Sequence, residues 1–151
     1  MKKFVLLGVF LLTLLWAEEL KITSEYFNYN MQNKESVFKG NVRAVKGKDT
    51  INADKITLYF NKNKKPVKFV AVGNVKFTIS LDANSTYKGK ADELIYQLNN
   101  GNIVLKGNAE IVKVQTKESV KGNKIILNRF TKNAEVFGGK KPVEIIIKVN
   151  E

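Results

Sequence analysis

Residues 67–79 read V-K-F-V-A-V-G-N-V-K-F-T-I, and the reading of this stretch decides the fold. Val67, Phe69, Ala71, Gly73, Val75, Phe77 and Ile79 occupy every second position. Lys68, Asn74, Lys76 and Thr78 lie on the other face, with Val70 and Val72 as its only apolar members. A period of two over this length predicts a long strand with one apolar face and excludes a helix. The central Gly73-Asn74 pair recurs as Gly40-Asn41, 33 residues earlier, and as Gly107-Asn108, 34 residues later. Gly138-Gly139 is a decayed fourth copy, 31 residues further on. Self-similarity at this period predicts stacked supersecondary units that share one core.

Working outward, each unit has a second half. Ala53-Asp54-Lys55-Ile56-Thr57-Leu58 matches Ala91-Asp92-Glu93-Leu94-Ile95-Tyr96, and Gly122-Asn123-Lys124-Ile125-Ile126-Leu127 more loosely. Ser24-Glu25-Tyr26-Phe27-Asn28-Tyr29 fits the same template. The alignment produces apolar columns: Phe27, Ile56, Leu94 and Ile125; Tyr29, Leu58, Tyr96 and Leu127; Phe38, Ala71, Leu105 and Val136; and Ala44, Phe77 and Ile111. Stacking turns such columns into continuous stripes inside the molecule. The first unit lacks its front half and the last its back half, as terminal units do. Segments 30–34, 61–66, 99–102 and 131–133 are turn material, and Asn100-Gly101 between two alternating runs is a hairpin signal. The prediction is a single all-β domain, an elongated antiparallel β-jellyroll or solenoid of ~33-residue repeats. A parallel β-helix also stacks apolar columns but has no use for hairpin signals.

The chain opens with Met1-Lys2-Lys3 and an apolar run over 4–16, broken only by Gly8 and Thr13. A membrane span needs about 20 apolar residues. The shorter run suits a secretory signal over 1–17, cleaved after Ala17, and makes 18–151 the mature domain. Leu15 departs from the small residue preferred near a cleavage site, so a retained anchor is the competing reading. Cleavage would lower the formal net charge from +12 to +10 by removing Lys2 and Lys3. There is no cysteine, so neither disulfides nor lipid attachment to a cysteine is available.

Much chemistry is excluded by composition. Without histidine there is no Ser-His-Asp triad, and without histidine or cysteine no zinc or iron–sulfur ligand set of the usual kind. Asp54 and Asp92 recur at equivalent repeat positions after Ala, which reads as a turn or strand-edge carboxylate and not as an acid/base pair. Gly40, Gly73 and Gly107 lie a whole repeat apart, too far to cradle one phosphate, and read as bulge glycines. No enzyme, cofactor or metal is expected.

Apolar stripes and excess lysine remain. The stripes are either a filled core or, if two sheets part along their length, a groove for acyl chains. The residues assigned to that groove are Ile22, Phe27, Tyr29, Phe38, Val42, Ile56, Leu58, Phe69, Val75, Phe77, Leu94, Tyr96, Leu105, Ile111, Ile125 and Leu127. Lysines crowd the turns, and Lys46, Lys48, Lys88 and Lys90 are assigned to a phosphate-binding rim, against the alternative of solvated loops. Nucleic acid is not expected as a partner, because no basic helix or aromatic platform accompanies the charge.

The order of Phe38-Lys39-Gly40-Asn41-Val42 followed by Ile51-Asn52-Ala53-Asp54-Lys55-Ile56, repeated along the chain, resembles the OstA-like (LptA) family of periplasmic lipopolysaccharide-transport proteins. The resemblance spans roughly residues 20–136. Val70-Ala71-Val72-Gly73, Ala109 and Gly138-Gly139 depart from its pattern without shifting register. It implies a slightly open antiparallel β-jellyroll that holds lipid A acyl chains between its sheets and has no catalytic activity. It also implies head-to-tail stacking that bridges inner-membrane and outer-membrane proteins of the lipopolysaccharide export machinery. Within the same resemblance stands an inner-membrane-anchored partner of the same fold; outside it stands a purely structural periplasmic β-solenoid. For self-association the joint is expected between the edge near 20–24 and an edge at 134–137 or 143–149, neither containing proline. The competing reading has 143–149 fold back to cap its own sheet.

Overall fold

The structure is a computed structural model that describes residues 19–149; the signal segment read over 1–17 lies outside the described residues. Ten strands form one antiparallel sheet: β1 (Leu20–Thr23), β2 (Tyr26–Asn30), β3 (Glu35–Lys46), β4 (Asp49–Phe60), β5 (Pro66–Asp82), β6 (Ser85–Gln97), β7 (Asn102–Lys113), β8 (Ser119–Asn128), β9 (Ala134–Phe137) and β10 (Glu144–Ile146). Six long strands, β3 to β8, pair in sequence order. Each edge is a broken strand: β1 and β2 both pair with β3, and β9 and β10 both pair with β8. The stretch 67–79 lies within β5, the central and longest strand. The fold is the open antiparallel jellyroll expected from the alternation, and the antiparallel ladder rules out the β-helix.

The Gly-Asn pairs at 40–41, 73–74 and 107–108 divide β3, β5 and β7 into two halves, and β4, β6 and β8 are divided opposite them. At each one the register slips, with Gly40-Asn41 opposing Asp54 alone, Gly73-Asn74 opposing Asp92 alone, and Gly107-Asn108 opposing Asn123 alone. Two residues against one is a β-bulge, which bends the strand and sharpens its twist. Both members of each pair are left-handed, at φ 86° and 49° for Gly73 and Asn74, and glycine and asparagine tolerate that region best. A Cβ on Gly73 would lie 2.4 Å from Asp54 Oδ2, so the site excludes other side chains twice over.

Asp54 and Asp92 are therefore not turn carboxylates. They sit mid-strand, and the amides of Asn74 and Asn108 donate to them at 3.1 and 3.2 Å. Glu25 takes the amide of Asn41 in the same way at 2.8 Å, extending the series to the edge. The bulges align as a spine along which the sheet folds over on itself. We call the two parts the front leaf, which ends at the turns 31–34, 61–65, 98–101 and 129–133, and the back leaf, which ends at the turns 47–48, 83–84 and 114–118.

Columns that are separate in the repeat alignment interleave as one row. Phe27, Phe38, Ile56, Ala71, Leu94, Leu105, Ile125 and Val136 are successive cross-strand partners across the front leaf. In the back leaf Ile22, Ala44, Ile51, Phe77, Gly89, Ile111, Val120 and Ile145 do the same. The two rows share one hydrophobic cluster. Burial of such continuous rows is the main favourable term in holding the leaves together.

Candidate functional site

The candidate site is the interior between the leaves. Of the residues assigned to it from sequence, Val42, Ile56, Leu58, Phe69, Val75, Phe77, Leu94, Leu105 and Ile125 are buried there. Ile22, Phe38, Tyr96, Ile111 and Leu127 are half-buried against them. Phe27 and Tyr29 face the same side, but the edge strand β2 has no further strand beyond it, and they stay 49% and 37% exposed. Phe27 stacks on Phe38 at 4.9 Å between ring centres, and Tyr29 meets the edge of Phe60 at 6.2 Å. These rings floor the amino-terminal end of the interior. Ala44, Ala53, Ala71, Ile79, Ala91, Ile103 and Ala109 complete the buried lining and were not assigned to it. Ala44 and Ala71 stand in the apolar columns and Ile79 on the apolar face of 67–79, so alternation already marks them; of the other four, three are alanines, which a selection of large side chains passes over.

The lysines assigned to a rim are not brought together. Lys46 and Lys48 stand at the β3–β4 turn, at the free end of the back leaf. Lys88 and Lys90 lie on the outer face of that leaf, in a shallow depression of about 350 Å³ shared with Thr50, Asn52, Lys76, Thr78 and Glu110. There Glu110 draws Lys90 to 3.7 Å and Lys121 to 3.5 Å.

Among the described residues, one ion pair joins the free ends of the leaves. Arg129 follows β8 at the free end of the front leaf, and Asp49 opens β4 at the free end of the back leaf. They are 80 residues apart in sequence, yet Arg129 Nη2 donates to Asp49 Oδ2 at 2.8 Å. Asp49 Oδ1 accepts the Ser80 N–H at 3.0 Å, and the Arg129 N–H donates to the Gly101 carbonyl at 2.8 Å. Burial opposes the guanidinium's charge, but Asp49, helped by Tyr96, outweighs it and holds the Arg129 pKa above its ordinary value. Sequence reading missed this pair. Its one signal was that a chain so rich in lysine carries only two arginines, Arg43 and Arg129, and arginine is the residue suited to a forked pairing.

The interior ends openly in both directions. Tyr26, Phe27, Tyr29 and Met31 are exposed at the amino-terminal edge, and Phe137, Ile145, Ile146 and Ile147 at the carboxy-terminal one. A family model described as LptA/(LptD N-terminal domain) LPS transport protein matches residues 21–133, from β1 to the turn after β8. The chain belongs to this family. Lipopolysaccharide transport is its functional class, and the family's role is carriage without catalysis. Among solved structures, the fold is similar to that of LptH from Pseudomonas aeruginosa, described as the LptA homologous periplasmic component of the lipopolysaccharide transport device. The TM-score is 0.77 at 14% identity, over 87% of this chain and 96% of that one. A search of the curated proteins finds no match. At that identity the LptH likeness speaks for the fold, and the family match speaks for the function.

Proposed function

We propose that this chain is a periplasmic carrier that shields the acyl chains of lipopolysaccharide between its leaves and forms one link of a bridge between the membranes. One observation carries the reading: two uninterrupted apolar rows run between open ends that themselves expose large apolar side chains. Shielding contributes about 0.8 kcal/mol per buried methylene, so several long acyl chains need a continuous apolar path to cross water. The interior residues Ile56, Leu94, Leu105 and Ile125 are at most 1% exposed, so a lipid must part the leaves to displace their mutual contacts.

The bridge follows from the edges. Unpaired edge strands recruit other strands, and a joint between one molecule's β9–β10 edge and the next one's β1–β2 edge is heterologous and need not close. The tail 143–149 both caps and offers a joint: β10 pairs with β8 through Glu144–Ile146, while Ile145 and Ile147 stay exposed. Cleavage after Ala17 belongs to this reading. A retained anchor would instead make the chain an inner-membrane partner of the same fold, and sequencing the amino terminus of the exported protein separates the two.

The test is capture. A photo-crosslinking residue at Phe77 or Leu94, which point inward, should trap lipopolysaccharide, and one at the outward Lys68 or Thr78 should not. Equal capture from both faces removes the interior as the site. Absence of any lipid by mass spectrometry, from the exported protein or after incubation with lipopolysaccharide, leaves the structural-solenoid reading.

A further inference from the structure

We propose that the Asp49–Arg129 pair is a latch that fastens the free ends of the two leaves and sets how readily the interior opens to acyl chains. The inference rests on the carrier reading above and adds the element that controls loading. The leaves share a covalent and hydrogen-bonded hinge along the bulge spine, so their free ends are where they can part. Among the described residues this is the one ion pair that joins front leaf to back leaf; Lys90–Glu110 and Lys121–Glu110 both lie within the back leaf.

Each partner is tied to its own leaf. Asp49 is held by the backbone of β5 through Ser80, and Arg129 by the β6–β7 turn through Gly101. A pull on the pair is therefore a pull on both leaves. The side chains are 21% and 30% exposed, dry enough to strengthen the contact and wet enough for an incoming anion to reach it. A guanidinium also binds phosphate in the forked geometry it offers a carboxylate. An amphiphile with a phosphorylated head can take Arg129 from Asp49 as its chains arrive, so the cargo itself releases the latch.

The chain has no cysteine, so Asp49→Cys/Arg129→Cys places two unique thiols on the two leaves. Locking them with a short bis-maleimide should stop loading of fluorescently labelled lipopolysaccharide, and capping them singly with a mono-maleimide should not. Asp49→Asn and Arg129→Gln should each speed loading by roughly two- to fivefold, the range an exposed to half-buried ion pair supports. The exchange Asp49→Arg/Arg129→Asp should restore the slower rate. Circular dichroism melts show which variants are folded, and the thiol pair serves if a single variant is not. Loading at the unlocked rate after bis-maleimide closure overturns the latch while leaving the carrier intact. An unmodified protein that takes up no lipopolysaccharide overturns the carrier reading first.

Discussion

Gly73→Ala is the sharpest test of the spine on which both leaves depend. At φ 86° an alanine enters the left-handed region, which costs an L-residue about 1–2 kcal/mol. Its Cβ would also stand 2.4 Å from Asp54 Oδ2 and 2.9 Å from Asp54 Cβ and Cγ, so the carboxylate must swing away and the backbone at Asp54 must shift. That forfeits the Asn74–Asp54 hydrogen bond, worth roughly 0.5–1.5 kcal/mol in net terms. Together the loss is roughly 1.5–3.5 kcal/mol, or about 5–14 °C in Tm for a domain of this size. Urea unfolding followed by far-UV circular dichroism measures it, with the outward Lys76→Ala as a control expected within about 0.5 kcal/mol of the parent. Part of the cost is the clash with the carboxylate, so Asp54→Ala combined with Gly73→Ala should destabilise by less than the sum of the two, by about 0.5 kcal/mol or more. A Gly73→Ala variant within about 0.5 kcal/mol of the parent would refute the argument, because neither left-handed strain nor the close carboxylate would then be limiting.

Three further outcomes follow from the same geometry. Leu94→Ala, at a position 1% exposed in the middle of the front-leaf row, should lose about 2–5 kcal/mol by urea unfolding. Phe27→Ala should lose much less, about 1 kcal/mol, because its ring is half in water already and leaves no closed cavity; an equal loss at both positions would contradict the edge placement of β2. Ile145→Glu/Ile147→Glu should stay folded yet sediment as a monomer at concentrations where the parent associates; undiminished association would move the joint away from the carboxy-terminal edge.

Strand identity, repeat period, hairpin turns and the bulge sites are all legible in the amino-acid sequence alone, because each is local. Alternation reports which face of a strand is apolar, and the Gly-Asn pairs at 40–41, 73–74 and 107–108, a whole repeat apart, report where the backbone turns left-handed. The interleaving of two columns into the row from Phe27 to Val136 needs only antiparallel pairing of those strands. What the tertiary structure alone decided is how much of each stripe is covered, and by what. Phe27 and Phe69 are chemically the same and both face inward, but one lies on an edge and the other in the centre of the sheet. Asp54 reads as a turn carboxylate because its partner Asn74 lies on the next strand, and its local sequence holds no trace of that amide. The meeting of Asp49 and Arg129 is the least legible of all. It depends on the bend at the bulges and on twist accumulated over the strands between β4 and β8, and a sum over many strands has no signature at either residue.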